Sequence, residues 1–588
     1  MALPTAFPSD WHPCKGCACL NHGIPSYKFS VTDADSPIAD HPGLGKLTRS
    51  NDAPTPSEEK TLQRMISDSG NRIDTIEVHV LELKVMKQEL SQSITCVDKE
   101  LAKLDKERQR LSDSVRERRL LLSALRRMPK EVIADIFLHT LIFPFPRVQP
   151  SGALTNLGDW STFSASRHPL LSFELVSRNW KDVLDTFPNL WSYVNILIDR
   201  ISSVTYTRYI GNQLSRSRLS PLSVSICHSD SVSVARLGAF PVAILMALFS
   251  VNCRIQTLHI CLPGRYFPYM QQLHLSFPTL QELVLLSSSE TSEVAQHLHF
   301  GSLPNLRVFH ATDISNIDKL SLPWHQITHF TNMHMEAGRG LPAPRALSIL
   351  KIMTRLSVCR LSLDLQLLLT GVVERTTLSK LHSFTLSSVH RQGFGFPPVI
   401  PSVLNSLILP GLLDLSVTCL LGVTSLDQVG TFTSIRQLIA RSNSPLTSLY
   451  FDNGAIIQDD LIHFLSNTPT LQDLRLTNTR GITDEVLAHL ARRVDTESDS
   501  WVPMLVPHLH TLHISDYLYT FHGEVYVQMV ESRWTCHPRY LKSVNLCRFQ
   551  VNGFSSIERA TMEEASILAL SRLDVLRSEG LDVVVSMR

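Results

Sequence analysis

The chain has 588 residues, 55 Lys and Arg against 54 Asp and Glu, a net charge of +1, and 43% hydrophobic residues. Its length leaves room for several domains, and so much apolar content predicts at least one large core. A charge balance this close to zero argues against general nucleic-acid binding and against an enzyme for polyacidic substrates. The 11 cysteines are scattered and no secretory h-region opens the chain, which reads as reduced thiols in a cytoplasmic or nuclear protein. The longest apolar run, Ala239 to Val251, contains Pro241 and is too short to span a bilayer, so no membrane association is expected.

Residues 1–60 are rich in Pro, Ser, Asp and Gly without periodicity, and are expected to be a disordered tail. Cys14, Cys17, Cys19 and His22 have metal-like spacing, but no second ligand pair follows, so no metal site is assigned there. Gly43, Gly45 and Lys46 hint at a phosphate loop. The Walker pattern fails because Asp40 stands where a glycine is needed and Leu47 where a Ser or Thr is needed.

A heptad runs through 61–124. Its a positions are Ile66, Ile73, Val80, Lys87, Ile94, Leu101, Arg108, Val115 and Leu122. Its d positions include Ile76, Leu83, Leu90, Val97, Leu104, Leu111 and Leu125, with Arg118 as an exception. From Ile73 to Val115, eleven of thirteen seam positions are apolar, which predicts one long coiled-coil helix. Such a seam needs a partner, and a homodimer is the simplest, with the chain's own C-terminal domain as the alternative; β-branched residues at a with leucine at d favour two strands. The helix ends in Arg116, Arg118, Arg119, Arg126 and Arg127, interleaved with acids, which reads as a solvated face rather than a nucleic-acid site.

Met128 and Pro129 stop that helix and start another. Val132, Ile133, Ile136, Phe137 and Leu141 recur at helical spacing. A second amphipathic helix is expected from Leu170 through Leu171, Leu175, Val176 and Trp180 to Leu184, closed by Pro188, Leu190 and Trp191. The stretch between them, 142–168, is rich in Pro, Ser and Gly and reads as a flexible insertion.

After Trp191 the chain changes. Val194, Ile196 and Ile198 alternate as in a half-buried strand. From about residue 255 a loose P-x-L-x-x-L-x-L repeat emerges, clearest at Phe277–Leu285, Leu303–Phe309, Thr468–Leu476 and Val506–Ile514. Fainter copies lie at Ile255–Ile260, Leu381–Leu386, Leu412–Val417, Leu446–Phe451 and Leu541–Leu546. This spacing makes a short strand with alternate leucines inward, so that stacked copies share a core. Ser556 to Glu579, Gly580 and then Leu581 to Val585 read as a terminal helix, a glycine cap and a strand.

No catalytic fingerprint appears, and no enzyme activity, cofactor or metal is expected. His508, His510 and His513 lie along a predicted strand whose inward residues are Leu509, Leu512 and Ile514, so they read as its outer face. Trp324 follows a turn and reads as a core or rim anchor.

Two resemblances emerge. L-x-x-M-P-x-E-V-x-x-x-I-F, then P-L-L-x-x-x-L-V-S-R-x-W-x-x-V and P-x-L-W, over 125–195, resembles the F-box of large fungal families. The 196–588 region resembles an irregular leucine-rich-repeat domain with a C-terminal cap. Its sharpest copy is Leu474 to Leu490, where Asn478 sits at the family's turn-bonding position. The fold class implied is multidomain: a long N-terminal helix, a small all-α F-box-like domain and an α/β solenoid. The resemblance implies a non-catalytic substrate receptor of a Skp–cullin–F-box ubiquitin ligase, or a scaffold of similar build acting outside one. Its adaptor-binding and F-box residues would be Met128, Pro129, Val132, Ile133, Ile136, Phe137, Leu141, Leu170, Leu171, Leu175, Val176 and Trp180. Its partners would be a Skp-type adaptor with its cullin complex, and a protein target.

Overall fold

A computed structural model describes residues 43–122, 124–140, 169–198, 204–227, 250–263, 266–267, 276–287, 298–314, 316–334, 340–364, 374–389, 399–419, 429–495, 501–516, 521–548 and 571–587. The Cys14–His22 cluster, Leu141, the 142–168 insertion and nearly all of the Ala239–Val251 run lie outside the described residues. So does the expected start of the terminal helix at Ser556.

The chain divides into two compact units, Met1–Arg127 and Met128–Arg588. The first is dominated by α1, Pro56–Leu121, followed by the short α2, Ala124–Arg127. α1 begins inside the stretch expected to be disordered. The reason is local chemistry: the Glu58 carboxylate folds back on Thr55, one half of a capping box, with Pro56 in the first turn. Glu58 Oε2 accepts from Thr55 N at 2.8 Å and from Thr55 Oγ1 at 2.6 Å.

The second unit opens with three short helices, α3 Lys130–Thr140, α4 Pro169–Glu174 and α5 Arg178–Thr186. A parallel sheet follows. Its strands are β1 Tyr193–Leu197, β2 Leu222–Cys227, β3 Ile255–Leu262, β4 Glu282–Ser287, β5 Val308–Thr312, β6 His329–Met333, β7 Leu341–Pro342 and β8 Val358–Asp364. Further along it has β10 Ser383–Val389, β12 Asp414–Thr418, β13 Ser448–Asp452 and β14 Asp473–Thr477, while β9 Thr376–Thr377 with β11 Leu407–Ile408, and β15 Arg493–Asp495 antiparallel to β16 Trp501–Pro503, form two separate two-stranded sheets. The last are β17 Thr511–Asp516, β18 Ser543–Arg548 and β19 Asp582–Met587. The main path runs β1-β2-β3-β4-β5-β6-β8-β10-β12-β13-β14-β17-β18-β19, in the order of the chain. β1 opens at Tyr193, ahead of the expected start of the repeat region at 196.

Register explains the core. Two columns point to the same side of the sheet, because side chains on a strand alternate with a period of two. One contains Leu258, Leu283, Phe309, Phe330, Phe384, Leu415, Leu449, Leu474 and Leu512. The other contains Ile260, Leu285, Ala311, Asn332, Leu361, Leu386, Val417, Phe451, Leu476 and Ile514. Helices Ala343–Ile352, Val399–Asn405, Val429–Ser442, Gln458–Ser466, Asp484–Ala491 and Gly523–Trp534 lie between successive strands. They bury Leu350, Val403, Phe432, Phe464, Leu487 and Tyr526 in the same core. Trp324 is a core anchor, edge-on to Phe309 and Phe330 at 5.7 and 5.8 Å.

The turns repeat a device. The residue leaving a strand is left-handed at Asp313, Asn453 and Asn478, with φ of 54°, 58° and 52°. Asp and Asn tolerate that region best among residues with a Cβ. At two of these turns the same residue donates its N–H to the last residue of the next strand: Asp313 to Met333 O and Asn453 to Thr477 O, both 3.0 Å. The side-chain bond of Asn478 goes to Asp452 Oδ1 at 3.0 Å, not to the turn backbone as the resemblance implied. At the C-terminus, the helix Leu573–Ser578 ends at Gly580, φ +105°, and β19 forms the last rung.

Candidate docking surfaces

The helical module from Met128 to Trp191 has a core of its own: Ile133, Ala134, Phe137, Leu170, Val183, Leu184, Leu190 and Trp191. Phe137, Phe173 and Trp180 form an aromatic triangle with centroids 4.7, 4.9 and 5.6 Å apart. Each such pair adds about 0.5–1.5 kcal/mol beyond its area. Trp191 Nε1 donates to Leu184 O at 2.9 Å, so the buried indole leaves no polar atom unmatched. Lys130 pairs with Asp182, tying α3 to α5.

The structure sorts the expected site residues into two groups. Ile133, Phe137 and Leu170 are buried, and Met128, Leu171 and Trp180 are half-buried against them. Pro129 is exposed. Val132, Ile136, Leu175 and Val176 expose 44%, 39%, 82% and 58% of their surface. Val132 and Ile136 are one helical turn apart and share a side of α3. Leu175 and Val176 are a correction: the single helix expected over 170–184 is broken between α4 and α5. Ser177 causes the break by taking an extended conformation and capping α5, its Oγ accepting from Trp180 N at 3.2 Å. Both apolar residues therefore stand at a turn rather than on a buried stripe. Ala134 and Phe173 complete the core without having been singled out; Phe173 lies three residues after Leu170, a signal that was readable.

This module is fastened to the first strands of the sheet through α6, Val204–Arg216. The Arg216 guanidinium lies 4.5 Å above the Trp191 ring and pairs with Glu174. Arg218 Nη2 donates to Asp185 O at 3.3 Å, and Gln213 Nε2 donates to Tyr193 O.

The second surface is the sheet face opposite the core. Its middle column reads Ser225, His259, Val284, His310, Thr331, Arg360, Thr385, Ser416, Tyr450, Arg475, His513 and Asn545. In the first half, Ser225, His259, Val284 and Thr331 are buried, whereas in the second half Tyr450, His513 and Asn545 are half-exposed and Arg475 is exposed. His259 Nε2 lies 3.7 Å from Glu282 Oε1. The His259 imidazole at that distance, aided by the charges of His310 and His329, holds the Glu282 carboxyl below the usual range. Burial pushes His310 down to about 4.

On the open half, Asp452 accepts from Thr477 Oγ1 at 2.7 Å and from Asn478 and Asn453 Nδ2 at 3.0 Å. Burial raises its carboxyl while these bonds oppose the rise. Leu509, Leu512 and Ile514 are buried, as the strand pattern predicts. Burial, reinforced by Arg475, lowers His513, while His508 and His510 stand edge-on to Tyr540 at 4.8 and 6.2 Å. Among the described residues no cluster of His, Cys, Asp and Glu has the geometry to hold a metal ion. Nor, among them, is any helix long and apolar enough to cross a membrane. The arrangement offers apolar and hydrogen-bonding contact. Compared with known proteins, the chain matches no family model and no curated protein.

Proposed function

We propose that this chain is a substrate-receptor subunit of a Skp–cullin–F-box ubiquitin ligase. In this reading Met128–Trp191 is an F-box-like domain that docks on a Skp-type adaptor. The sheet is a leucine-rich-repeat domain whose open half, around Tyr450, Arg475 and His513, meets the target. The observation that carries the reading is that the helical module closes a core of its own and still turns Val132, Ile136, Leu175 and Val176 outward. A module built only for stability has no use for four such side chains in water. The receptor contributes proximity, and the chemistry belongs to the enzymes it gathers.

The test is adaptor binding by the Val132→Asp, Ile136→Asp double variant. Burying two aliphatic side chains at an interface is worth about 1.5–3 kcal/mol each when complete. With both about half-exposed in the free chain, the variant loses at least about 10-fold in affinity. Both sites are exposed, so the thermal midpoint stays within a degree or two. Phe137 is unsuitable for this purpose because it is 1% exposed, and its loss unfolds the module. Undiminished adaptor binding by the folded double variant overturns the proposal.

A further inference from the structure

We infer that α1 pairs with the α1 of a second copy of this chain, antiparallel and in full overlap, with the two-fold axis crossing the seam between Ile94 and Val97. The helix has 66 residues and is therefore about 100 Å long. Its seam is open along its whole length: Ile73 is 56% exposed, Ile94 62% and Leu104 66%. A fully buried aliphatic side chain removes about 60–120 Å² from water. Eleven apolar seam residues therefore offer about 700–1,300 Å² per helix, against about 800 Å² per partner in a stable interface. A second copy brings a seam of matching length and period, and a two-fold pairing closes on itself.

Charge selects the orientation. In a parallel, in-register pair each a residue faces itself. Lys87 then meets the partner's Lys87, Arg108 meets the partner's Arg108, and the d-position Arg118 meets the partner's Arg118. Flanking the seam, Glu100 faces the partner's Asp105, a further repulsion; only Arg72 with the partner's Glu77 is favourable. The antiparallel pair removes all three like-charge contacts from the seam, because each a residue faces a d residue. Ile94 meets the partner's Val97, Val80 the partner's Leu111 and Leu101 the partner's Leu90.

The charged seam residues also find better company. Lys87 meets the partner's Leu104, whose neighbours Asp105 and Glu107 are acidic. Arg118 meets the partner's Ile73, near Glu77. Arg108 meets the partner's Leu83, between Glu82 and Lys84. Beside the seam, Lys84 faces the partner's Asp105, twice by symmetry. One register thus satisfies the apolar pattern and the charges together. The native Cys96 is exposed at an outward c position and takes no part.

The test uses the full chain with Cys14, Cys17, Cys19 and the exposed Cys96 and Cys253 replaced by serine, and with Val80→Cys and Leu111→Cys carried on separately tagged copies. Co-expressed, the two copies are expected to cross-link to each other with a short bis-maleimide. Each expressed alone is expected not to cross-link, because antiparallel pairing holds identical positions about 46 Å apart. Sedimentation should give a dimer, which Leu90→Asp with Val97→Asp converts to monomer. Self-cross-linking of Val80→Cys overturns the orientation. A dimer without the 80–111 cross-link overturns the register, and a monomeric parent chain overturns the pairing.

Discussion

Asn332 breaks the pattern of the core and so allows a quantitative test. It occupies a column whose other members, from Ile196 to Val585, are apolar, with Ala311 and Leu361 on either side. It is 0% exposed, and neither Nδ2 nor Oδ1 has a hydrogen-bond partner among the described residues. An amide buried without partners costs about 1–3 kcal/mol. Leucine has similar volume, places its branch beside the small Ala311, and adds apolar burial worth about 1.5–3 kcal/mol. Allowing about 1 kcal/mol for imperfect fit, Asn332→Leu should stabilise the fold by roughly 1.5–5 kcal/mol. Equilibrium urea unfolding measures this as a higher midpoint at unchanged slope. Asn332→Asp, which buries a charge in the same place, should move the midpoint down. A lower midpoint for the leucine variant would show that the amide is held for a reason the column argument misses.

Gly481→Ala should destabilise by more than about 2 kcal/mol in the same assay. The backbone there has φ +100°, and a Cβ would stand 1.9 Å from Ile456 O; a neutral substitution refutes the turn geometry. His310 predicts a pH dependence. Its ring titrates at about 4 in the fold and near 6.5 when unfolded, so below pH 6.5 the unfolded chain takes up a proton that the folded chain refuses. This contribution to stability is complete above pH 6.5 and falls by about 1.4 kcal/mol per pH unit until about pH 4. Denaturation series should show that slope reduced by one proton in His310→Asn, and an unchanged slope refutes the assignment.

The long helix was legible because its heptad is nearly unbroken. Its start was not, because Thr55-Pro56-Ser57-Glu58 lies inside a stretch whose composition alone points to disorder. The α4–α5 break was written in Ser177, but apolar spacing on both sides hid it. Rungs with leucine at each inward position were read directly, as at Leu471, Leu474 and Leu476. β6 was missed because Phe330 and Asn332 stand where leucines are expected, and β8 because Cys359 replaces one. The outward residues of the helical module could not be separated from its core by sequence. Val132 and Ile133 are chemically alike, and only the packing of α5 decides which of them faces water.

The chain-ordered sheet has a mechanical consequence. Among the described residues every strand on the main path bonds to the strands just before and just after it along that path, and β8 alone has a further partner, the two-residue β7 that immediately precedes it in the chain. Tension applied through the two ends therefore has no remote latch to rupture. The sheet should peel strand by strand, giving a train of small force steps in an optical trap instead of one large collapse. Wherever peeling halts, the remaining stretch still holds every bond it had before.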